Sequence, residues 1–265
     1  MRIRLVFNLK NKGQVVPFFH QPLIKQLTEE MLGSGADPGM GASTTFSTLK
    51  GQSKVAKAGL MYFSNRVTIV YASKSRDLLQ TLSEGFMSRP VWRLGNLELA
   101  PDHAVFERMP ALSKSIRYVC LSPLVLTQPQ AHSPEAKRFI VPGGMEFKSA
   151  FYRAVQSDIE QDVYQLPILF EPDMGYIAKL QEEAKKFARI YSLVDARGEL
   201  IEIRGYTFPF VLTAPDFVHQ TLLNEGLGFA RSQGFGMLDI ADGHFNERLE
   251  AVPVAVAVRE KVAAH

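Results

Sequence analysis

The sequence predicts an α+β fold made of two tandem ferredoxin-like (RRM-like) domains with a C-terminal glycine-rich loop. In the first half, strand-like and helix-like patterns follow one another in the order β-α-β-β-α-β, and the second half repeats that order with weaker signals. A chain of 265 residues with 46% hydrophobic composition can also bury one large core or two smaller ones. We therefore predict domains at 1–110 and 111–240, followed by a flexible tail at 241–265.

The elements of the first half follow from their periodicity. Residues 2–9 alternate as a strand does, and residues 22–32 carry apolar side chains at helical spacing before Gly33. The turn-forming residues 33–41 predict a mobile loop. The remaining elements are strand-like runs at 44–49, 60–71 and 92–106, with a helix that Ser73 or Ser75 can cap and that runs to Phe86.

The second half is predicted from weaker patterns, and the duplication rests on element order alone. Strand character is expected at 116–127, 190–194, 200–213 and 236–240. Helices are expected at 146–162, 176–188 and 217–223, with Asp216 placed to complement the dipole of the last one. The helix at 176–188 is additional to the ferredoxin-like pattern.

Composition limits the class of protein. The net charge of +3 permits a polyanionic partner without requiring one. A single cysteine, Cys120, gives no disulfide framework and no cysteine metal cluster, and we expect neither a metal nor a cofactor. The alternating N-terminus does not resemble an export signal, and no uninterrupted apolar stretch is long enough to span a membrane. The expectation is a cytoplasmic protein.

The glycine-rich segment at 226–236 is the most informative motif, with the form G-x-G-x5-G-x-G. Gly226 can end the preceding helix, and Gly228, Gly234 and Gly236 permit close approach of a ligand or of another backbone. In one interpretation, exposed amide groups and the side chains of the tip form a phosphate cradle. In the other, the glycines only turn a tight helix-to-strand connection. The tip residues are Arg231, Ser232 and Gln233.

The context of this segment resembles the CRISPR-associated, repeat-processing endoribonucleases of the RAMP superfamily. The resemblance rests on residues 226–237 after the last helix, on the strand Arg2-Ile3-Arg4-Leu5 with residues 16–23, and on Tyr62-Phe63-Ser64. It covers roughly residues 1–240. It implies binding of repeat RNA and metal-independent cleavage, in which a 2′-hydroxyl attacks the adjacent phosphate and leaves a 2′,3′-cyclic phosphate and a 5′-hydroxyl.

That chemistry needs a general base, a general acid and a cation. His20, at the entrance of the first helix, is the candidate for proton transfer, although a structural turn explains it equally well. Many relatives carry a histidine in the loop after this helix, whereas residues 33–45 of this chain contain none. Lys50 and Lys54 are the candidates for the cation.

Further residues are predicted to line an RNA-binding cleft, although each is also explained by ordinary solvated charge. These residues are Lys114, Arg117, Arg138 and Lys148. Tyr62, Phe63 and Tyr71 lie at strand positions that suit either base stacking or core packing.

The missing loop histidine leaves a second function open, a subunit that binds repeat RNA in a CRISPR ribonucleoprotein complex without cleaving it. A protein-interaction scaffold without RNA contact is a third. The expected partners are precursor CRISPR RNA and other subunits of an interference complex, and a homodimer also stays open.

Overall fold

The computed structural model describes residues 1–33, 44–130, 133–142, 145–183, 188–194, 198, 200–241 and 248–250. The predicted mobile loop falls almost wholly on residues outside these ranges. None of the helices within them is both long and apolar enough to cross a bilayer.

The strands of the first half are β1 (Arg2–Leu9), β2 (Val15–Val16), β3 (Thr44–Phe46), β4 (Ser53–Ala56), β5 (Gly59–Tyr62), β6 (Arg66–Ser73), β7 (Trp92–Leu94) and β8 (Leu97–Glu107). Its helices are α1 (Gln21–Leu32) and α2 (Arg76–Met87).

The first half has ferredoxin-like strand order. Its four main strands are arranged β8-β1-β6-β3, all antiparallel, so the first strand lies between the fourth and the third. Ile3 pairs with Tyr71 on one side and with Phe106 on the other. Side chains of alternate residues face the two helices, which close a core with Ile24 and Leu82. Arg2 and Arg4 therefore point away from that core.

The second half repeats the order. Its strands are β9 (Ser115–Cys120), β10 (Thr127–Gln130), β11 (Ser133–Phe139), β12 (Leu169–Pro172), β13 (Ala188–Val194), β14 (Leu200–Tyr206), β15 (Phe210–Thr213) and β16 (Leu238–Ile240). Its helices are α3 (Met145–Gln156), α4 (Met174–Glu182) and α5 (Asp216–Glu225). The sheet order β12-β15-β9-β16 matches that of the first half strand for strand. The sheet packs on α3 and α5 through an aromatic cluster that includes Phe151, Phe170 and Phe210.

Several predicted strands are wrong in detail. The run at 60–71 is two strands in different sheets, because the chain turns at Ser64 and Asn65. The runs at 92–106 and 200–213 are likewise each divided in two. Strand β12 was not predicted, although it is the second strand of its ferredoxin-like unit, and β13 and β14 form a separate hairpin beside the main sheet.

The predicted domain boundaries stay a prediction. Residues 249–250 form β17 (Leu249–Glu250), which pairs with the outer edge of β8 at Glu107 and Phe106. The rest of the predicted tail beyond Ala241, apart from Arg248, lies outside the described residues.

Candidate functional site

The glycine-rich segment lies where the two halves of the protein meet. It leaves α5 at Gly226, forms a turn of 3₁₀ helix at Arg231–Gln233 and enters β16. Gly226 has φ 73° and ψ −166°, which is outside the left-handed helical region but is still a conformation that favours glycine. Its amide donates to the Leu222 carbonyl at 2.9 Å and closes the helix.

Close packing requires the other three glycines, and a Cβ atom at Gly228 would lie 2.4 Å from the Val125 carbonyl oxygen. A Cβ atom at Gly236 would lie 1.9 Å from the Leu227 carbonyl oxygen, and one at Gly234 would lie 2.3 Å from the Phe46 ring. Phe46 belongs to β3 of the first half, so Gly234 lets the segment reach the other domain. These contacts favour the tight-connection interpretation for these three glycines.

The main-chain amides of the segment are largely used within the protein. Leu227 donates to the Gly236 carbonyl, Phe229 to Val125, and Gly236 to Pro123, each at 2.8 Å. Gln233 and Gly234 donate within the 3₁₀ turn. The predicted succession of exposed amides is therefore wrong for these five groups, because the fold itself satisfies them.

The side chains at the tip offer less than the sequence indicates. The Arg231 guanidinium donates through both terminal nitrogens to the two Asp158 carboxylate oxygens, each at 2.8 Å. Burial raises the pKa of the Asp158 carboxyl, and the charge of Arg231 opposes this shift. Ser232 and Gln233 are half-buried beside this ion pair. A phosphate must compete with Asp158 for Arg231.

His20 is enclosed between the first helix and the strand that follows it. Its side chain is 2% exposed. Since Pro17 offers only a carbonyl, Nδ1–H donates to it at 3.1 Å, and Nε2 accepts from the Leu49 amide at 3.1 Å. Burial lowers the pKa of this histidine, which keeps it neutral. The predicted role in proton transfer stays untested, and this geometry favours a positioning role.

The two candidate cations lie in different environments. Lys50 is partly buried at the junction of the halves, where Nζ donates to the Leu121 carbonyl at 2.6 Å. Burial lowers the pKa of this ammonium group to about 8. Lys54 is exposed on the β4–β5 hairpin, with Nζ 5.4 Å from the centre of the Phe63 ring.

The residues predicted to line the cleft are dispersed over the second half. Arg117 donates to the Asp173 carboxylate at 2.8 Å on the open face of its sheet. Lys114 is exposed just before β9, and Lys148 is exposed on α3. Arg138 lies on β11, where the structure describes the backbone pairing with Gln128. Their role in RNA binding stays a prediction.

A buried charge cluster connects the open faces of the two sheets, and the sequence analysis did not identify it. Arg2 lies 3.0 Å from the Asp239 carboxylate and 3.3 Å from that of Glu107. Arg248 donates to Asp239 at 2.9 Å, and Arg4 to Glu107 at 2.9 Å. The only sequence signal was the pair of arginines at alternate positions of a strand whose other side chains, apart from Asn8, are apolar. Within the described residues, no three His, Cys, Asp or Glu side chains are arranged to hold a metal ion.

A second buried histidine lies in the other half. His219 is fully buried, its Nδ1 accepts from the Tyr118 hydroxyl at 2.8 Å, and its Nε2 lies 3.4 Å from the Lys114 carbonyl. Burial lowers its pKa, as it does that of His20. Both histidines are therefore neutral in the folded protein at neutral pH.

The two histidines predict how stability depends on pH. Because both folded-state pKa values lie below the unfolded value of about 6.5, the unfolded chain binds more protons. The two histidines contribute their full stabilisation of the folded state above that pH. This stabilisation is lost as pH falls, by at most about 1.4 kcal/mol per pH unit for each histidine. Urea unfolding between neutral and mildly acidic pH measures this slope.

Substitutions separate the histidines from other titrating groups. His20→Gln and His219→Gln should each flatten the slope. An unchanged slope in the double variant His20→Gln/His219→Gln would show that other groups cause the acid sensitivity.

Comparison with known proteins agrees with this arrangement. A family model described as the C-terminal part of the CRISPR-associated protein Cas6 matches residues 107–240, which include the second sheet and the glycine-rich segment. No curated protein sequence matches.

Solved structures share the fold over nearly the whole chain. An RAMP protein that binds different RNA substrates is 17% identical, with a TM-score of 0.71 over 91% of this chain and 99% of its own. A Cas6-related protein from Pyrococcus furiosus is 15% identical, with a TM-score of 0.71 over 92% and 99%. A CRISPR-associated protein Cas6 is 16% identical, with a TM-score of 0.66 over 91% and 99%. At these identities the likeness establishes the fold, two ferredoxin-like domains in tandem. The family match extends over just over half of the sequence, and the chain therefore belongs to the family of CRISPR-associated Cas6 proteins.

Proposed function

We propose that this protein binds CRISPR repeat RNA and cleaves the precursor without a metal ion, leaving a 2′,3′-cyclic phosphate and a 5′-hydroxyl. The family match over residues 107–240 carries this proposal. A Cas6 product complex with a TM-score of 0.51 and 12% identity has the same fold. The 2′-hydroxyl loses its proton as its oxygen forms a bond to phosphorus. The bond from phosphorus to the 5′-oxygen breaks, and the 5′-oxygen gains a proton.

Lys50 supports the electrostatic part of this proposal. Its ammonium group lies between the two halves, and it is held by a main-chain carbonyl rather than by a carboxylate. With a pKa of about 8, it is mostly charged at neutral pH and can stabilise the negative charge that develops on phosphate. We assign the cation to Lys50 in preference to Lys54, which lies on an exposed hairpin.

His20 is the candidate for the proton-transfer part of this proposal. Both ring nitrogens of His20 form hydrogen bonds within the protein. His20 can therefore act as base or acid only if the RNA replaces the Leu49 amide as the partner of Nε2. This observation favours the second function, a Cas6 protein that binds repeat RNA as a subunit of a ribonucleoprotein complex without cutting it.

Incubation with labelled repeat RNA in the presence of a chelator distinguishes the two functions. We expect a product ending in a cyclic phosphate, and we expect Lys50→Ala to slow its formation about 100-fold, as loss of one charge-stabilising group does. The RNA affinity should change much less. Lys25→Ala, at an exposed lysine on α1, is the control and should cleave like the wild type.

The remaining outcomes are equally informative. Tight binding without any cyclic-phosphate product supports the binding subunit and refutes the nuclease. Undiminished cleavage by His20→Ala would remove His20 from the mechanism. An RNA affinity that does not fall with salt would contradict both functions, since phosphate contacts release counterions.

A further inference from the structure

A small sheet in the first half lies outside both ferredoxin-like sheets. Its strands are arranged β2-β5-β4, and one face is closed against the core by Val16 and Tyr62. The Tyr62 hydroxyl donates to the Leu49 carbonyl at 2.9 Å, which fixes the sheet to the main chain of the domain. The register places Lys54 opposite Met61, and Met61 opposite Val15, so these three residues form a row on the other face.

All of the charged residues in the chain segments around this sheet are basic. Residues 1–28 contain five Lys or Arg and residues 44–76 contain six, and neither segment contains an Asp or Glu. Lys12, Lys54 and Lys57 are all exposed. Among the residues that the structure describes, no carboxylate lies within ion-pair distance of these three lysines, whereas Lys25 and Lys74 pair with Glu29 and Glu225.

An exposed aromatic ring lies beside one of these lysines. Phe63 follows β5 directly and is 40% exposed, and its amide donates to the Gln52 carbonyl at 3.1 Å. The Lys54 ammonium lies over its ring, and the Lys12 ammonium donates to the Asn65 side chain, two residues further along. Of the three aromatic residues considered from the sequence, Tyr62 and Tyr71 are buried in the core and only Phe63 is accessible.

We propose that this basic sheet, defined by Lys12, Lys54, Lys57 and Phe63, binds an unpaired segment of RNA. The lysines contact phosphates and the Phe63 ring stacks on a base. This inference rests on the proposed RNA-binding function and adds a binding surface separate from the glycine-rich segment. It also gives Lys54 a role in binding rather than in catalysis.

The combination of exposed lysines with an exposed aromatic ring favours RNA over an acidic protein as the partner. An acidic protein surface is attracted by the lysines but gains little from a single exposed ring. A nucleobase offers a flat face, which stacks favourably on an aromatic side chain. Base faces are accessible in single strands and are covered in a duplex, which favours unpaired RNA.

The position of the basic sheet indicates how one RNA can reach both surfaces. Asn65 precedes β6 at its Arg66 end, whereas Gly234 packs on Phe46, which pairs with Tyr71 near the other end of the same strand. Arg66 and Tyr71 are five residues apart on β6, which corresponds to about 17 Å. The two surfaces are therefore close enough for one strand of RNA to contact both.

The test is the affinity of the full-length protein for a short fluorescent oligouridine across a salt series. The triple variant Lys12→Ala/Lys54→Ala/Lys57→Ala should lower the slope of log K against log salt by about 2, as loss of three phosphate contacts on a single strand does. Phe63→Leu should weaken binding about 5- to 100-fold with little change in slope. The control Lys25→Ala/Lys74→Ala/Lys179→Ala removes the same charge from other exposed positions and should change neither quantity.

The outcomes separate this inference from the proposed function. If the basic-sheet variants bind both oligouridine and repeat RNA as the wild type does, the inference is wrong and the proposed function stands. If the wild type binds neither RNA, the proposed function fails first. Equal loss of oligouridine binding in the control variant, or displacement of oligouridine by polyglutamate as effective as by unlabelled RNA, would show a general charge effect and would overturn the inference.

Discussion

Replacing Gly236 with alanine is expected to destabilise the protein by about 2–5 kcal/mol. The new Cβ atom would lie 1.9 Å from the Leu227 carbonyl oxygen and 2.9 Å from its carbonyl carbon. The backbone also has φ +71°, which costs an L-residue about 1–2 kcal/mol, and relief of the overlap adds about 1–3 kcal/mol. Chemical denaturation followed by circular dichroism measures the change.

Gly13 provides the matched control. It has φ +82°, and a Cβ atom added there would meet nothing within 4 Å beyond its own chain neighbours. Gly13→Ala should therefore show the conformational cost alone, about 1–2 kcal/mol. Equal losses in the two variants would mean that the segment relaxes around the added methyl group, and that Gly236 is required for its backbone conformation only.

Asp239→Ala is expected to cost about 3–5 kcal/mol, the usual effect of removing one partner from a buried ion pair. Asp239 is 7% exposed, and its carboxylate lies 3.0 Å from Arg2 and 2.9 Å from Arg248. Its removal leaves two buried guanidinium groups with less compensating charge. The midpoint of urea unfolding should fall accordingly.

Two further variants test the explanation. Glu29→Ala breaks the exposed pair with Lys25 and should change stability by less than about 1 kcal/mol. Arg2→Met combined with Asp239→Leu replaces charge with apolar volume and should recover part of the loss of the single variant. A loss below about 1 kcal/mol for Asp239→Ala would contradict the view that this cluster holds the two halves together.

The sequence predicted topology better than it predicted local detail. Residues 2–9 have one apolar face and a second face that carries Arg2, Arg4 and Asn8, so their alternation was clear. Helices α1 and α2 have a single apolar side. Strand β12 was missed because Pro167 and Pro172 bound a short apolar run that resembles a loop. Turns of two or three residues, such as Gly95-Asn96, were too short to interrupt the strand pattern around them.

The candidate site was predicted by position but not by environment. The glycine spacing located the segment, whereas two of the carbonyl groups that accept from its amides belong to distant residues, Pro123 and Val125. The two bonds that enclose His20 include one from Leu49, and the carboxylate that holds Arg231 is 73 residues away in the chain. Contacts of this kind depend on tertiary packing, which a single sequence does not display.

The charge cluster between the sheets also has a consequence for the order of folding. Arg2, Arg4 and Glu107 leave the ribosome with the first half of the chain, whereas Asp239 and Arg248 follow only after most of the second half. Domains generally fold as units during synthesis, the N-terminal one first. We therefore expect the first domain to form with these arginines still hydrated, and the docking of the two domains to wait until Asp239 and Arg248 have been synthesised.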